Sequence, residues 1–221
     1  SGGTAKTAVY AARMEKASEI VVVSRSGNQI SEVFGDVITA DYSQTSSYKD
    51  AEIVVNTTPL GMYPKVDAQA VDLSVFEKPE AVADVVYNPL RTQLTLQAEE
   101  LGLKYTNGLP MLVAQAYFAQ RYFFGEEPVV KPGDEVLLQR VIRDIEKQVR
   151  NIVLIGMPGS GKTTIGKMLS EHLGKDFVDT DEIFAQREGI TAGDYIKKYG
   201  EEAFRNAESL VVKDVTGEKN R

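Results

Sequence analysis

The sequence predicts an α/β protein built in two successive parts. Three observations predict it. Apolar, β-branched runs at residues 20–23, 53–55, 81–86 and 152–155 alternate with stretches of helical period, the pattern of parallel strands joined by helices. These runs end in polar or glycine-rich loops, where α/β sheets hold ligands. Between the third run and the last, Glu126-Glu127-Pro128-Val129-Val130-Lys131-Pro132-Gly133 breaks the pattern with proline and charge, as a linker does. The expected division is residues 1–126, a linker with an amphipathic helix over 127–150, and residues 151–221.

Composition narrows the function. Hydrophobic residues are 43% and charged residues 26% of the 221, an ordinary globular balance. A net charge of −7 disfavours nucleic acid and membrane surfaces as partners. With no cysteine there is no disulfide and no thiolate metal site. No apolar run approaches the ~20 residues of a membrane span. Ser1-Gly2-Gly3 does not read as a secretory leader, so a soluble, cytoplasmic protein is expected.

The first part opens on Ser1-Gly2-Gly3-Thr4-Ala5-Lys6-Thr7-Ala8, glycines running into a helical pattern through Met14. The strand Ile20-Val21-Val22-Val23 follows and ends in Ser24-Arg25-Ser26. This is the second half of a βαβ dinucleotide-binding unit, without the strand that precedes the glycines. Where NAD enzymes place a carboxylate on the ribose, Arg25 stands between two serines, which suits a 2′-phosphate and hence NADP; an exposed loop arginine is the other reading. Strands are expected at 37–40, 51–56, 81–87 and 103–105, and helices at 92–101 and 111–124. The aromatics Tyr117, Phe118, Phe123 and Phe124 read as core packing. Asp134 reads as the cap of a helix whose stripe is Leu138, Val141, Ile142, Ile145 and Val149.

The stretches SGGTAKTA, SRS, NTTPLGMYP, DVVYNPLRTQLTLQAEELG and NGLPMLVAQA together resemble the NADP-binding domain of shikimate dehydrogenase, over residues 1 to about 125. The resemblance implies a Rossmann-like domain whose first strand is missing. It implies that Ser24, Arg25 and Ser26 hold the 2′-phosphate and that Gly2 and Gly3 approach the pyrophosphate. Thr57, Gly108 and Met111 would border the nicotinamide, and Tyr87 and Gln115 would face shikimate. The family's catalytic lysine and aspartate lie on a substrate domain outside these residues.

The second part carries Gly156-Met157-Pro158-Gly159-Ser160-Gly161-Lys162-Thr163, which reads G-x-x-x-x-G-K-T between an apolar run and a helical pattern. Backbone N–H groups around Gly159, Ser160, Gly161 and Thr164 would cradle phosphates. Lys162 would reach the β- and γ-phosphates and Thr163 would ligate Mg²⁺. Phe177-Val178-Asp179-Thr180-Asp181 reads as a short strand ending in two carboxylates. Asp179 could hold Mg²⁺ through water and Asp181 a substrate hydroxyl, and either could cap the next helix. Arg205 and Glu208 share a helix face, as an anion-binding pair or a plain surface ion pair.

GMPGSGKT, DTD and FRNAE at these distances resemble shikimate kinase over residues 151 to about 210. The resemblance implies a partial P-loop kinase α/β domain. Asp181 would bind the shikimate hydroxyls and serve as catalytic base beside Lys162. Arg205 would hold the shikimate carboxylate, supported by Glu208 and lined by Phe204. The expected whole is part of a bifunctional enzyme using NADP, ATP and Mg²⁺ on 3-dehydroshikimate and shikimate. A gap is expected in both sheets, because the first dehydrogenase strand and a later kinase strand lie outside the chain.

Overall fold

The computed structural model describes residues 2–25, 27, 34–157 and 159–216, which divide into two compact units after Ile142. In the first unit β1 (Val21–Val23) pairs in parallel with β2 (Ile38–Ala40), Val22 opposite Thr39. A second parallel sheet has the order β3 (Ile53–Asn56), β4 (Ala81–Asp84), β5 (Lys104–Thr106), with Val54 opposite Val82. No ladder joins β1 to β3, so the expected interruption falls between them.

Helix α1 (Gly3–Met14) packs Ala5 and Val9 against Ile20, Val22, Phe34 and Val37. Helix α2 (Gln93–Glu100) is capped by Thr92, whose hydroxyl accepts from the Thr95 N–H. Its Leu94 and Ala98 join Leu73, Val82 and Val54 in the core, where each fully buried Leu or Val contributes about 1.5–3 kcal/mol. Ile53 and Val55 face solvent, so β3 is covered on the Val54 side alone, against the two-sided burial its β-branched run predicts.

Helix α3 (Leu109–Phe123) is followed by α4 (Asp134–Val149). Two expectations are corrected here. Phe123 and Phe124 are 84% and 74% exposed, because the buried face of α3 runs through Leu109, Val113 and Arg121 instead. Asp134 does not cap α4. Its carboxylate turns towards α3, accepting from the Tyr117 hydroxyl at 2.7 Å and from Arg121 Nη1 at 3.0 Å. The Lys131 N–H donates to the same carboxylate at 2.7 Å.

The second unit holds α5 (Lys162–Leu173), α6 (Thr180–Glu188), α7 (Ala192–Tyr199) and α8 (Glu201–Thr216). Asp179 and Thr191 cap α6 and α7 with their side chains, and Gly174 ends α5 in the left-handed conformation at φ 64°. Phe184, Phe204 and Val211 form the core of this unit, with Phe184 edge-on to Phe204 at 5.1 Å. The expected strands at 151–155 and 177–179 form no ladder among the described residues. A parallel strand exists only through a partner, and neither run pairs with the other. Ile155 is consequently 89% exposed. The run is held instead from the side. Lys175 Nζ donates to the Gln148 and Arg150 carbonyls, and Leu154 and Phe177 press on α5 where Gly166 leaves room. No helix among the described residues is long and apolar enough to cross a membrane.

Candidate functional site

Each unit carries its own candidate surface. In the first, Gly2 is the extended N-cap of α1 and Gly3 its first residue. A Cβ built at either meets nothing within 4 Å, so the backbone there is open to close approach. The first turn of α1 holds no acidic residue that would compete with an anion for the helix N-terminus. Ser24 continues the β1 ladder, its N–H donating to the Ala40 carbonyl at 2.9 Å. Arg25 follows, exposed, and Ser26 lies outside the described residues.

The carboxyl ends of β3, β4 and β5 bear the other residues read from the sequence. Thr57 follows Asn56 at the end of β3 and is half-buried. Tyr87 is 45% exposed beyond the end of β4. Gly108 is buried at the start of α3, against the backbone of Val85 and Val86. Met111 and Gln115 are exposed one and two turns along α3. The structure therefore sets Thr57, Tyr87 and Gly108 at adjacent strand ends, where α/β sheets bind ligands. It gives Gly108 a packing reason that the sequence did not show.

In the second unit the glycine loop leads into α5 through Gly161, the N-cap, at φ 83°, a conformation that favours glycine. Gly159 is also left-handed at φ 77°, and Pro158 lies outside the described residues. Lys162 curls back over the loop, with Nζ donating to the Gly156 and Met157 carbonyls, each at 2.9 Å. Its ammonium is thus placed in the loop, held by neutral acceptors that an anion can replace. Ser160, Thr163 and Thr164 are exposed around it.

The Thr163 hydroxyl donates to Asp179 Oδ2 at 3.2 Å, which brings the two expected magnesium ligands together. An alcohol and a carboxylate are hard oxygen donors of the type Mg²⁺ takes, with phosphate and water filling the remaining positions. Asp179 Oδ1 meanwhile accepts from the Asp181 N–H at 3.0 Å, so one oxygen caps α6 while the other meets Thr163. The Asp181 side chain projects from the first turn of α6, exposed.

Arg205 lies on α8, forked between Glu208 at 2.9 Å and Glu201 at 3.4 Å. The second carboxylate was not foreseen, although its i, i+4 spacing is visible in the sequence. The Phe204 ring, 5% exposed, goes into the core, and Arg205 lies over it at 5.4 Å. Phe204 therefore supports the guanidinium from beneath.

Comparison with known proteins finds two families. Residues 158–221 match the shikimate kinase family model. Over 155 residues the chain is 34% identical to the shikimate dehydrogenase (NADP(+)) of Caldicellulosiruptor bescii, covering 66% of this chain and 52% of that protein. The chain is thus similar to shikimate dehydrogenase over one stretch and matches the shikimate kinase family model over residues 158–221. Among solved structures, a chorismate mutase/shikimate 5-dehydrogenase fusion protein from Clostridium acetobutylicum superposes with a TM-score of 0.59 at 32% identity. The match covers 66% of this chain and 52% of that one. Shikimate 5-dehydrogenase from Thermus thermophilus, in complex with NADP(H) and shikimate, gives 0.51 at 26% identity, covering 65% and 52%. This chain thus spans about half the length of the shikimate dehydrogenases it matches. The dehydrogenase-like unit is the Rossmann-like one with Gly2, Gly3 and Arg25. The match to the shikimate kinase model begins within the glycine loop and runs through the helices that follow it.

Proposed function

We propose that the chain belongs to a bifunctional enzyme of two successive steps: NADPH-dependent reduction of 3-dehydroshikimate to shikimate, then ATP-dependent phosphorylation of shikimate to shikimate 3-phosphate, both in the cytoplasm. The observation that carries this reading is the pairing of a shikimate dehydrogenase homologue with a shikimate kinase domain on one chain. In the first unit Ser24, Arg25 and Ser26 would take the 2′-phosphate. Gly2 and Gly3 would take the pyrophosphate, and Thr57, Gly108 and Met111 would border the nicotinamide, with Tyr87 and Gln115 towards the substrate. In the second, the loop of Gly159, Ser160, Gly161 and Thr164 would hold ATP, and Lys162 would neutralise charge on the transferred phosphoryl group. Thr163 and Asp179 would hold Mg²⁺, whose part is to offset phosphate charge. Asp181 would orient and deprotonate the attacking hydroxyl. Arg205, held by Glu208, would bind the substrate carboxylate, an interaction that a neutral polyol substrate would not need.

Two titrations of residues 1–221 test the reading. MgATP should bind, and Lys162→Ala should weaken it by about 1.5–3 kcal/mol, the scale of a hydrogen bond to a charged group. Superimposable curves for both proteins would remove Lys162 from the site. Arg25→Ala should weaken NADPH binding far more than NADH binding, because only NADPH carries the 2′-phosphate. A parallel loss of both would show that Arg25 does not read it. A second reading, an NADP- and ATP-binding fragment without turnover, is favoured by the break between β1 and β3 and by the run at 152–155, which forms no ladder among the described residues. Binding in both titrations without NADPH oxidation or ADP release would select it.

A further inference from the structure

Asp84 ends β4 and is 2% exposed, and no part of the reading above uses it. Its carboxylate has no ion-pair partner among the described residues. It is satisfied by three donors: Asn56 Nδ2 at 2.9 Å and the Val86 N–H at 3.0 Å on Oδ1, and the Thr92 hydroxyl at 2.6 Å on Oδ2. A buried carboxylate is costly to desolvate, and an apolar residue would fill the space more cheaply if packing were all that mattered.

What the carboxylate does is set orientations. A carboxylate only accepts, so Asn56 must turn its NH₂ towards it and its carbonyl away. That carbonyl then accepts from both the N–H and the hydroxyl of Thr58, at 2.9 and 2.7 Å, which fixes the turn containing Thr57. The Val86 N–H and Thr92 bonds pin the two ends of the segment that carries Tyr87. Further bonds tie the neighbours in: Tyr63 N–H to the Asn88 carbonyl at 3.0 Å, Gly108 N–H to the Val86 carbonyl at 2.9 Å, and Asn107 Nδ2 to the Leu90 carbonyl at 3.0 Å. The loops beyond β3, β4 and β5 are thus organised around one anion. Arg25 stands at the end of a different ladder, β1–β2, which this network does not touch.

A dinucleotide spans the two halves of such a sheet, with its adenosine at the glycine-rich half and its other nucleotide at the half formed here by β3, β4 and β5. We propose that Asp84 is a positioning residue that holds Thr57, Tyr87 and Gly108 in the geometry that receives the nicotinamide half of the cofactor, without acting on the adenosine half. This rests on the NADP reading above.

The test compares two probes on residues 1–221: NADPH, and 2′,5′-ADP, which carries the adenosine and 2′-phosphate alone. Wild type should bind both, NADPH more tightly and with a change in nicotinamide fluorescence. Asp84→Ala should weaken NADPH about tenfold, as loss of a buried charged hydrogen-bond acceptor does, and leave 2′,5′-ADP within about twofold. Asp84→Asn should recover most of the NADPH affinity, since its Oδ1 can accept from Asn56 and Val86 while its Nδ2 donates to Thr92. Should Asp84→Ala fail to fold, Thr92→Val removes the Oδ2 bond together with the α2 cap, leaves both Oδ1 bonds in place, and should give a smaller loss confined to NADPH. Equal weakening of both probes, or no change in either, would reduce Asp84 to a structural residue and overturn the proposal. So would wild-type protein that binds 2′,5′-ADP no less tightly than NADPH. Wild-type protein that binds neither probe overturns the NADP reading itself, and this proposal with it.

Discussion

Gly108→Ala is expected to destabilise the first unit by about 3 kcal/mol or more, the upper end of what an overpacked side chain costs. The backbone at Gly108 has φ −77° and ψ −5°, a conformation that any residue adopts, so the cost is not conformational. It is steric. A Cβ built there falls inside contact distance of the Val85 carbonyl and lies 3.1 Å from the carbonyl carbon of Val86. These are main-chain atoms just beyond β4, and the Gly108 N–H donates to the Val86 carbonyl oxygen beside them, so no side chain can swing aside. Gly2→Ala is the matched control, because its Cβ meets nothing. Urea unfolding of the two variants should separate them clearly. A Gly108→Ala midpoint equal to wild type would mean that the β4–α3 contact is looser than described.

Asp134→Ala should lower the unfolding temperature by about 5 °C or more, beyond what losing an exposed pair such as Lys49–Glu77 would do. Arg121 is almost fully buried, and its Nη1 shares the Asp134 carboxylate and the Val129 carbonyl. Without Asp134 that charge keeps, among the described residues, half-exposed Glu126 at 3.3 Å and the neutral Val129 carbonyl, and the Tyr117 hydroxyl and Lys131 N–H lose their acceptor. Removing one partner of a buried pair is costly because the other stays buried. The pH dependence has a definite sign. The Lys131 N–H above all, then the Tyr117 hydroxyl, holds the Asp134 carboxyl below the usual aspartate range. Its contribution is therefore complete above the unfolded value of about 4 and is lost in acid as the pH falls through the lower folded one. Melts of wild type and variant should differ at neutral pH and converge in acid. A gap that stays constant into acid would show that the charge of Asp134 is not what stabilises.

The helices were legible because their ends are written locally: Thr92, Thr191 and Asp179 at N-caps, Gly174 and Gly200 at C-termini. The glycine loop was legible for the same reason, since its left-handed glycines and the lysine that folds back on it lie within eight residues. Strand status at 151–155 was not, because pairing depends on what lies alongside rather than on the run itself. The same holds for side chains with distant partners. Asp84 meets Asn56 across 28 residues, and nothing at either position marks the contact. Phe123 and Phe124 look like core by type, but which face of α3 is buried is decided by the loop and Asp134 packed against Arg121.

The ladder between β1 and β2 joins three residues to three, packed around Val9 and Phe34. β4, by contrast, is hydrogen-bonded on both sides. Local opening is therefore easier at β1–β2 than in the three-stranded sheet. Arg25, the residue proposed to read the 2′-phosphate, stands at the end of the weaker pair. A ligand that engages Arg25 only when this ladder is closed spends part of its intrinsic binding energy on closing it, and its apparent affinity falls by the closed fraction. By linkage the same ligand slows amide exchange along Val21–Val23 by RT ln(1 + [L]/Kd). Cofactor affinity and local order at β1 are then linked, so that exchange at β1 measured against ligand concentration reads the binding.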